Sequence, residues 1–178
     1  YALDCNINDS NGDCTKGGTP LQSADRDFLI SNTSLLDLTV GYEFVPLSDG
    51  IITELGGYFP GTKQVRLWNV DEDEPLASAS VSSQEEWSYL SISPVSVSQG
   101  ETYYVGVYFG SEWSYTRLSD PPSVESQGIS ITRGVYVAGN SNLAIGNNPT
   151  STYIYGIPEI KFFNGTYGSC QENGAWVQ

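Results

Sequence analysis

Gly41-Tyr-Glu-Phe44, Asp49-Gly-Ile-Ile-Thr53, Val65-Arg-Leu-Trp-Asn69, Glu85-Glu-Trp-Ser-Tyr89, Pro94-Val-Ser-Val97 and Gly100-Glu-Thr-Tyr-Tyr-Val105 follow one another at even spacing between residues 38 and 109. Each is a short run rich in β-branched and aromatic residues, set off by turn signals such as Ser48-Asp49-Gly50 and Ser98-Gln99-Gly100. An antiparallel sandwich written out as sequence has this form. Leu38, Val40, Tyr42 and Phe44 alternate with polar or small residues, a period of two that turns one face of the strand to a core. Val65, Leu67 and Asn69 point one way while Arg66, Trp68 and Val70 point the other. Apolar groups on both faces predict that this strand is covered on both sides.

Working outward, the same pattern predicts strands over 28–31, 38–45, 50–59, 64–70, 76–82, 89–93 and 102–109. Looser candidates follow over 113–118, 128–131, 135–137, 152–155 and 159–163, and no helix is predicted. The expected fold is all-β, an antiparallel β-sandwich of jelly-roll or immunoglobulin-like type with irregular terminal arms. Its expected divisions are a polar N-terminal arm over 1–25, the sandwich over 26–163 and a C-terminal tail over 164–178. Asp71-Glu-Asp-Glu74 runs into Pro75 and reads as a hairpin tip with solvated charge. The Asn- and Gly-rich stretch 138–151 reads as a surface loop, and long loops on rigid sandwiches often carry binding.

Seven basic against 21 acidic residues give a net charge of −14, which repels phosphate backbones and anionic membranes, so nucleic acid is excluded as a partner. No run approaches the roughly 18 apolar residues of a membrane helix, so direct membrane insertion is not expected. The chain opens on Tyr1 and contains no Met. That is the expectation for an exported protein, extracellular or at the cell surface, whose leader has been removed. The sequons at Asn32 and Asn164 fit that compartment.

The three cysteines, Cys5, Cys14 and Cys170, all fall in the terminal segments. In an oxidising compartment any pair of them would staple an arm that has little core of its own, leaving one thiol over; spacing does not choose the pair. The segment 4–13 carries Asp4, Asn8, Asp9, Asn11 and Asp13 around Gly12, an oxygen-rich set of the kind that binds Ca2+. It lacks the EF-hand order, and an Asx-rich turn closed by a disulfide is the preferred reading, with calcium as the candidate cofactor.

The ordered set Gly41 and Phe44, Gly50 and Ile52, Tyr58, Leu67 with Trp68, Leu76 with Ala77, Trp87, Pro94 to Val97, and Gly100 with Tyr103 carries a resemblance. It resembles an extracellular bacterial β-sandwich module family catalogued as a domain of unknown function, over about residues 40–116. The resemblance implies a module of large secreted proteins, often beside immunoglobulin-like or carbohydrate-active domains, and it implies no catalytic residues. Trp68 and Trp87 at pattern positions are expected to be core aromatics.

The chain has no His, which excludes Ser-His-Asp and Cys-His nucleophilic catalysis. Lys16, Lys63 and Lys161 do not lie in Ser-Lys motifs, and although a paired-carboxylate glycosidase could be drawn from Glu85, Glu86, Glu112 and Asp120, such pairs arise without selection for catalysis among 21 acids in 178 residues. The function ranked first is a non-catalytic extracellular structural or adhesive surface protein. It would be a subunit of a filament, sheath or other repeating assembly whose partners are copies of itself. Strand addition by a terminal arm would join the copies, with Phe28, Ile30, Leu35, Leu36 and Leu38 as the donor segment. The alternative is a carbohydrate-binding module that takes a surface glycan on Trp113, Tyr115, Tyr153 and Tyr155.

Overall fold

The protein was analysed as a computed structural model, in which residues 18–24, 28–32, 37–110, 114–119, 124–150 and 153–164 are described. A short helix α1 (Pro20–Ser23) precedes thirteen strands. They are β1 (Phe28–Asn32), β2 (Leu38–Pro46), β3 (Gly50–Gly57), β4 (Thr62–Asn69), β5 (Ala77–Ser82), β6 (Ser88–Val97) and β7 (Tyr103–Gly110). The remainder are β8 (Ser114–Ser119), β9 (Val124–Ser126), β10 (Ile129–Ala138), β11 (Asn148–Thr150), β12 (Tyr153–Tyr155) and β13 (Pro158–Asn164).

All pairings are antiparallel. A seven-stranded sheet runs β11-β10-β2-β7-β4-β5 with β9 also on β10, and it faces a three-stranded sheet β13-β3-β6. A second three-stranded sheet, β1-β8-β12, adjoins the large one through β12. The expected sandwich is therefore present. Its core packs Tyr42, Phe44, Val65, Leu67, Val105 and Val107 of the large sheet against Ile52, Leu55, Ile160 and Phe162 of the small one. Each fully buried side chain of this size contributes about 1.5–3 kcal/mol, so the two inner faces drive the assembly of the layers.

The outer face of the large sheet is covered too, as the two-sided pattern of β4 predicts. Register places Trp68, Tyr104, Glu43 and Arg133 in one row across β4, β7, β2 and β10. The neighbouring row is Arg66, Gly106, Gly41 and Val135, and Gly106 leaves a gap in the outer face of the sheet. Leu143 fills it: a Cβ on Gly106 would lie 2.8 Å from Leu143 Cδ2 and 3.2 Å from the Trp68 ring. Trp68, Tyr104, Val135, Leu143 and Ala144 make a second, smaller core.

The segment 139–147 is thus the lid of that core, where sequence suggested a surface loop of the kind that often carries binding. Its asparagines hold it shut. Asn142 Nδ2 donates to the Glu72 and Asp73 carbonyls, and Asn147 Nδ2 donates to the Leu143 carbonyl.

Four further expectations are revised. Trp87 is only half-buried at the margin of the main core, whereas Trp68 is 1% exposed. The run 88–97 is one strand through Pro94, because β6 is an edge strand and needs no donor on its open side. The two short strands expected over 128–137 are one, since a bulge after Ile131 breaks the alternation and turns both Thr132 and Arg133 onto Glu43. Finally, Gly18–Ser23 lies within the expected arm yet enters the sandwich, with Gly18 bridged to Phe162 and Leu21 fully buried.

Candidate functional site

Two features stand out once the layers are assembled, a buried acid and an uncharged edge. Glu159 on β13 is fully buried and takes hydrogen bonds from three elements. Its Oε2 accepts from the Gln22 N–H at 2.7 Å, and its Oε1 accepts from the Tyr42 hydroxyl and the Ile160 N–H, each at 3.0 Å. The Leu21 N–H also points to it.

Thr19 at the start of α1 makes no side-chain cap, and Pro20 at its first position has no N–H to satisfy. Glu159 therefore caps the first turn from across the fold, and this is what seats Leu21 in the core. Burial pushes its carboxyl up to about 8, against the lowering effect of the Gln22, Ile160, Tyr42 and Leu21 hydrogen bonds. Burial thus favours its neutral form near pH 7. Tyr42 is raised well above the ordinary phenol value by burial and by the facing Glu159.

Glu43 on the outer face shows the opposite balance. Burial would raise it, but hydrogen bonds from Thr132, Tyr104 and Arg133 and the Arg133 charge outweigh burial and lower its pKa. The Arg133 Nη2 to Glu43 Oε2 distance is 3.0 Å.

The edge is formed by β6 and β5. Among the described residues β6 pairs with β3 alone and β5 with β4 alone, and the two strands meet at one side of the sandwich. Neither Ser88–Val97 nor Ala77–Ser82 contains a charged residue, in a chain with 28 of them. Leu90 on β6 and Leu76 beside β5 are two of the exposed large apolar side chains. This edge has no Lys or Glu to guard it against pairing with another strand, and its protection is confined to Pro94 and the register shift that sets Ile92 to Pro94 opposite Thr53.

A family profile for a domain of unknown function, DUF4082, matches residues 30–156, well over half of the chain. The chain belongs to the DUF4082 family. The matched span extends past the resemblance read over 40–116 and takes in every strand from β2 to β12. It stops before β13, so the Glu159 clamp and α1 lie outside the part of the DUF4082 module that the profile covers. No curated protein and no solved structure matches the chain.

Within the module, Tyr153 and Tyr155 come together with ring centroids 5.7 Å apart but tilted by 57°, and both are half-buried. Tyr115 lies on β8 opposite Ser31 of β1. Phe28 and Ile30 lie on β1, paired to Leu118 and Thr116 of β8, and Leu38 begins β2. Trp113, Leu35, Leu36, the cysteines Cys5, Cys14 and Cys170, and the calcium candidates Asp4, Asn8, Asp9, Asn11 and Asp13 lie outside the described residues.

Among the described residues no group of three or more His, Cys, Asp or Glu could hold a metal. None of their helices is long and apolar enough to cross a membrane. Sequence reading missed Glu159 as a clamp, because a Glu beside apolar neighbours on a strand gives no sign of which groups will face it.

Proposed function

We propose that this DUF4082 module is a non-catalytic extracellular structural or adhesive subunit that joins copies of itself by strand addition. The observation that carries the reading is the pair of open edges. Among the described residues β6 offers ten uncharged edge residues on the small sheet, and β1 pairs with β8 alone on the adjoining sheet. These are different surfaces, so β1 of one copy laid against β6 of the next makes a head-to-tail contact. Such a contact does not close on itself and propagates into a filament. The segment with Phe28 and Ile30 then contributes its free edge while it keeps its pairing to β8. The alternative, a glycan held between Tyr153 and Tyr155, is less favoured because rings tilted by 57° share no plane.

Light scattering on a size-exclusion column and negative-stain imaging test the proposal. Association that rises with concentration, and is abolished by Leu90→Lys or Ser91→Lys on β6, is expected. A monomer at the highest soluble concentration sinks it.

A further inference from the structure

Three loops converge beside the start of β6, and their backbones are strained. Five non-glycine residues among those described have left-handed φ, and Gln84 (55°), Glu85 (62°) and Ile157 (48°) are three of them. A left-handed β-branched residue such as Ile157 is rare, and two consecutive left-handed residues outside glycine are strained. All three grip the same short segment. Ile157 O accepts the Tyr58 N–H at 3.0 Å, and the Glu85 N–H donates to Phe59 O at 2.9 Å. Ser83 Oγ accepts the Phe59 N–H at 2.9 Å and donates to the Glu86 carbonyl at 2.6 Å. Strain held this firmly at one place presents side chains in a fixed arrangement.

The side chains so presented are Tyr58, Trp87 and Tyr89, all half-buried, beside exposed Gln84, Glu85 and Glu86. The Trp87 and Tyr89 planes lie within 10° of parallel with centroids 6.5 Å apart, and Tyr58 stands 5.8 Å from Trp87 at 60°. The Tyr89 hydroxyl donates to the Gln22 side chain, which fixes the ring from the α1 side. Parallel half-exposed rings with carboxylates and an amide at their border suit a flat apolar face rimmed by hydroxyls. A chain of net charge −14 with two glutamates in this loop disfavours acidic sugars.

We infer that Tyr58, Trp87 and Tyr89, with the Gln84–Glu86 turn, form a binding site for a neutral glycan. The rings stack on the pyranose face and Glu85 and Glu86 accept hydrogen bonds from its hydroxyls. Tyr89 lies on β6, at the start of the edge used in the assembly reading, while Tyr58, Trp87 and the turn lie outside it; retention on a polysaccharide and association between copies are separate readouts, so either reading can fail without the other.

Retention of the intact protein on insoluble cellulose, xylan, mannan and chitin, with a choline-bearing resin alongside, tests it. Retention on at least one neutral polysaccharide is expected. Trp87→Ala should weaken it by about tenfold or more, and Glu86→Gln, an exposed position that leaves the core untouched, should weaken it as well. Oligomeric state should be unchanged in both variants. Retention on none of the polysaccharides, retention on choline alone, or binding undiminished in both variants overturns the assignment.

Discussion

Glu159 titrates in the folded protein near 8, far above the value of 4.5 ordinary for a glutamate. Between those two values the folded state holds a proton that the unfolded chain has released. Its contribution to stability is therefore complete below 4.5, declines as pH rises, and is lost once pH passes about 8. Denaturant midpoints should fall across that window in the wild type and stay flatter in Glu159→Gln, which keeps an acceptor for α1 and cannot ionise. Parallel profiles for the two proteins would exclude Glu159 as the cause.

Glu43 acts with the opposite sign. Its pKa is lowered, so its contribution is present above the ordinary carboxylate range and is lost only as pH falls through its folded value. Arg133 is 40% exposed on its side chain, and solvent screening keeps this contribution small.

At the scale of elements, the lid over residues 139–147 and the sheet beneath it are matched in volume. Leu143 occupies the space left by Gly106, against a Trp68 ring that also carries the Arg66 guanidinium 4.8 Å from its centroid. Leu143→Ala should cost about 2–5 kcal/mol and Trp68→Ala about 3–5 kcal/mol, read from chemical denaturation. Gly106→Ala adds a methyl where Leu143 already sits and should cost about 1–3 kcal/mol by overpacking. A cost near zero for Leu143→Ala would mean that the loop does not rest on the sheet. Gly156 and Ile157 form another element-scale device. Both have left-handed φ, and they turn the chain sharply from β12 into β13, where a Cβ on Gly156 would meet Val40 and Val107 within 2.6 Å.

At the scale of the whole molecule, copies carrying a charge of −14 repel one another, and the uncharged β5 and β6 side is where two can approach. Association through that side should strengthen with ionic strength, because at about 1 M salt the Debye length is about 3 Å and the long-range repulsion is screened. Sedimentation at low and high salt checks this. Weakening by salt would point to a contact made by opposite charges. The glycan site at Trp87 should be nearly indifferent to salt, since stacking and hydroxyl hydrogen bonds carry no net charge.

Period-two alternation in the chain determined the all-β class, the order of strands through Val105 and the burial of Trp68, because a strand's side chains alternate by covalent geometry alone. It also determined the Asp71 to Glu74 tip, whose charges are exposed as expected. Whatever depends on which surfaces meet was decided by the tertiary structure. Trp87 looked like Trp68 in sequence, yet it stands at the margin of the main core while Trp68 lies buried in the second one. Leu143 looked like one apolar residue in a polar loop until Gly106 and the Trp68 ring, from neighbouring strands, were brought together beneath it. Glu159 became a neutral clamp only when α1 and Tyr42, 137 and 117 residues away in the chain, closed around it. Burial and hydrogen bonding between distant segments set these properties, and neither is a property of a local run of residues.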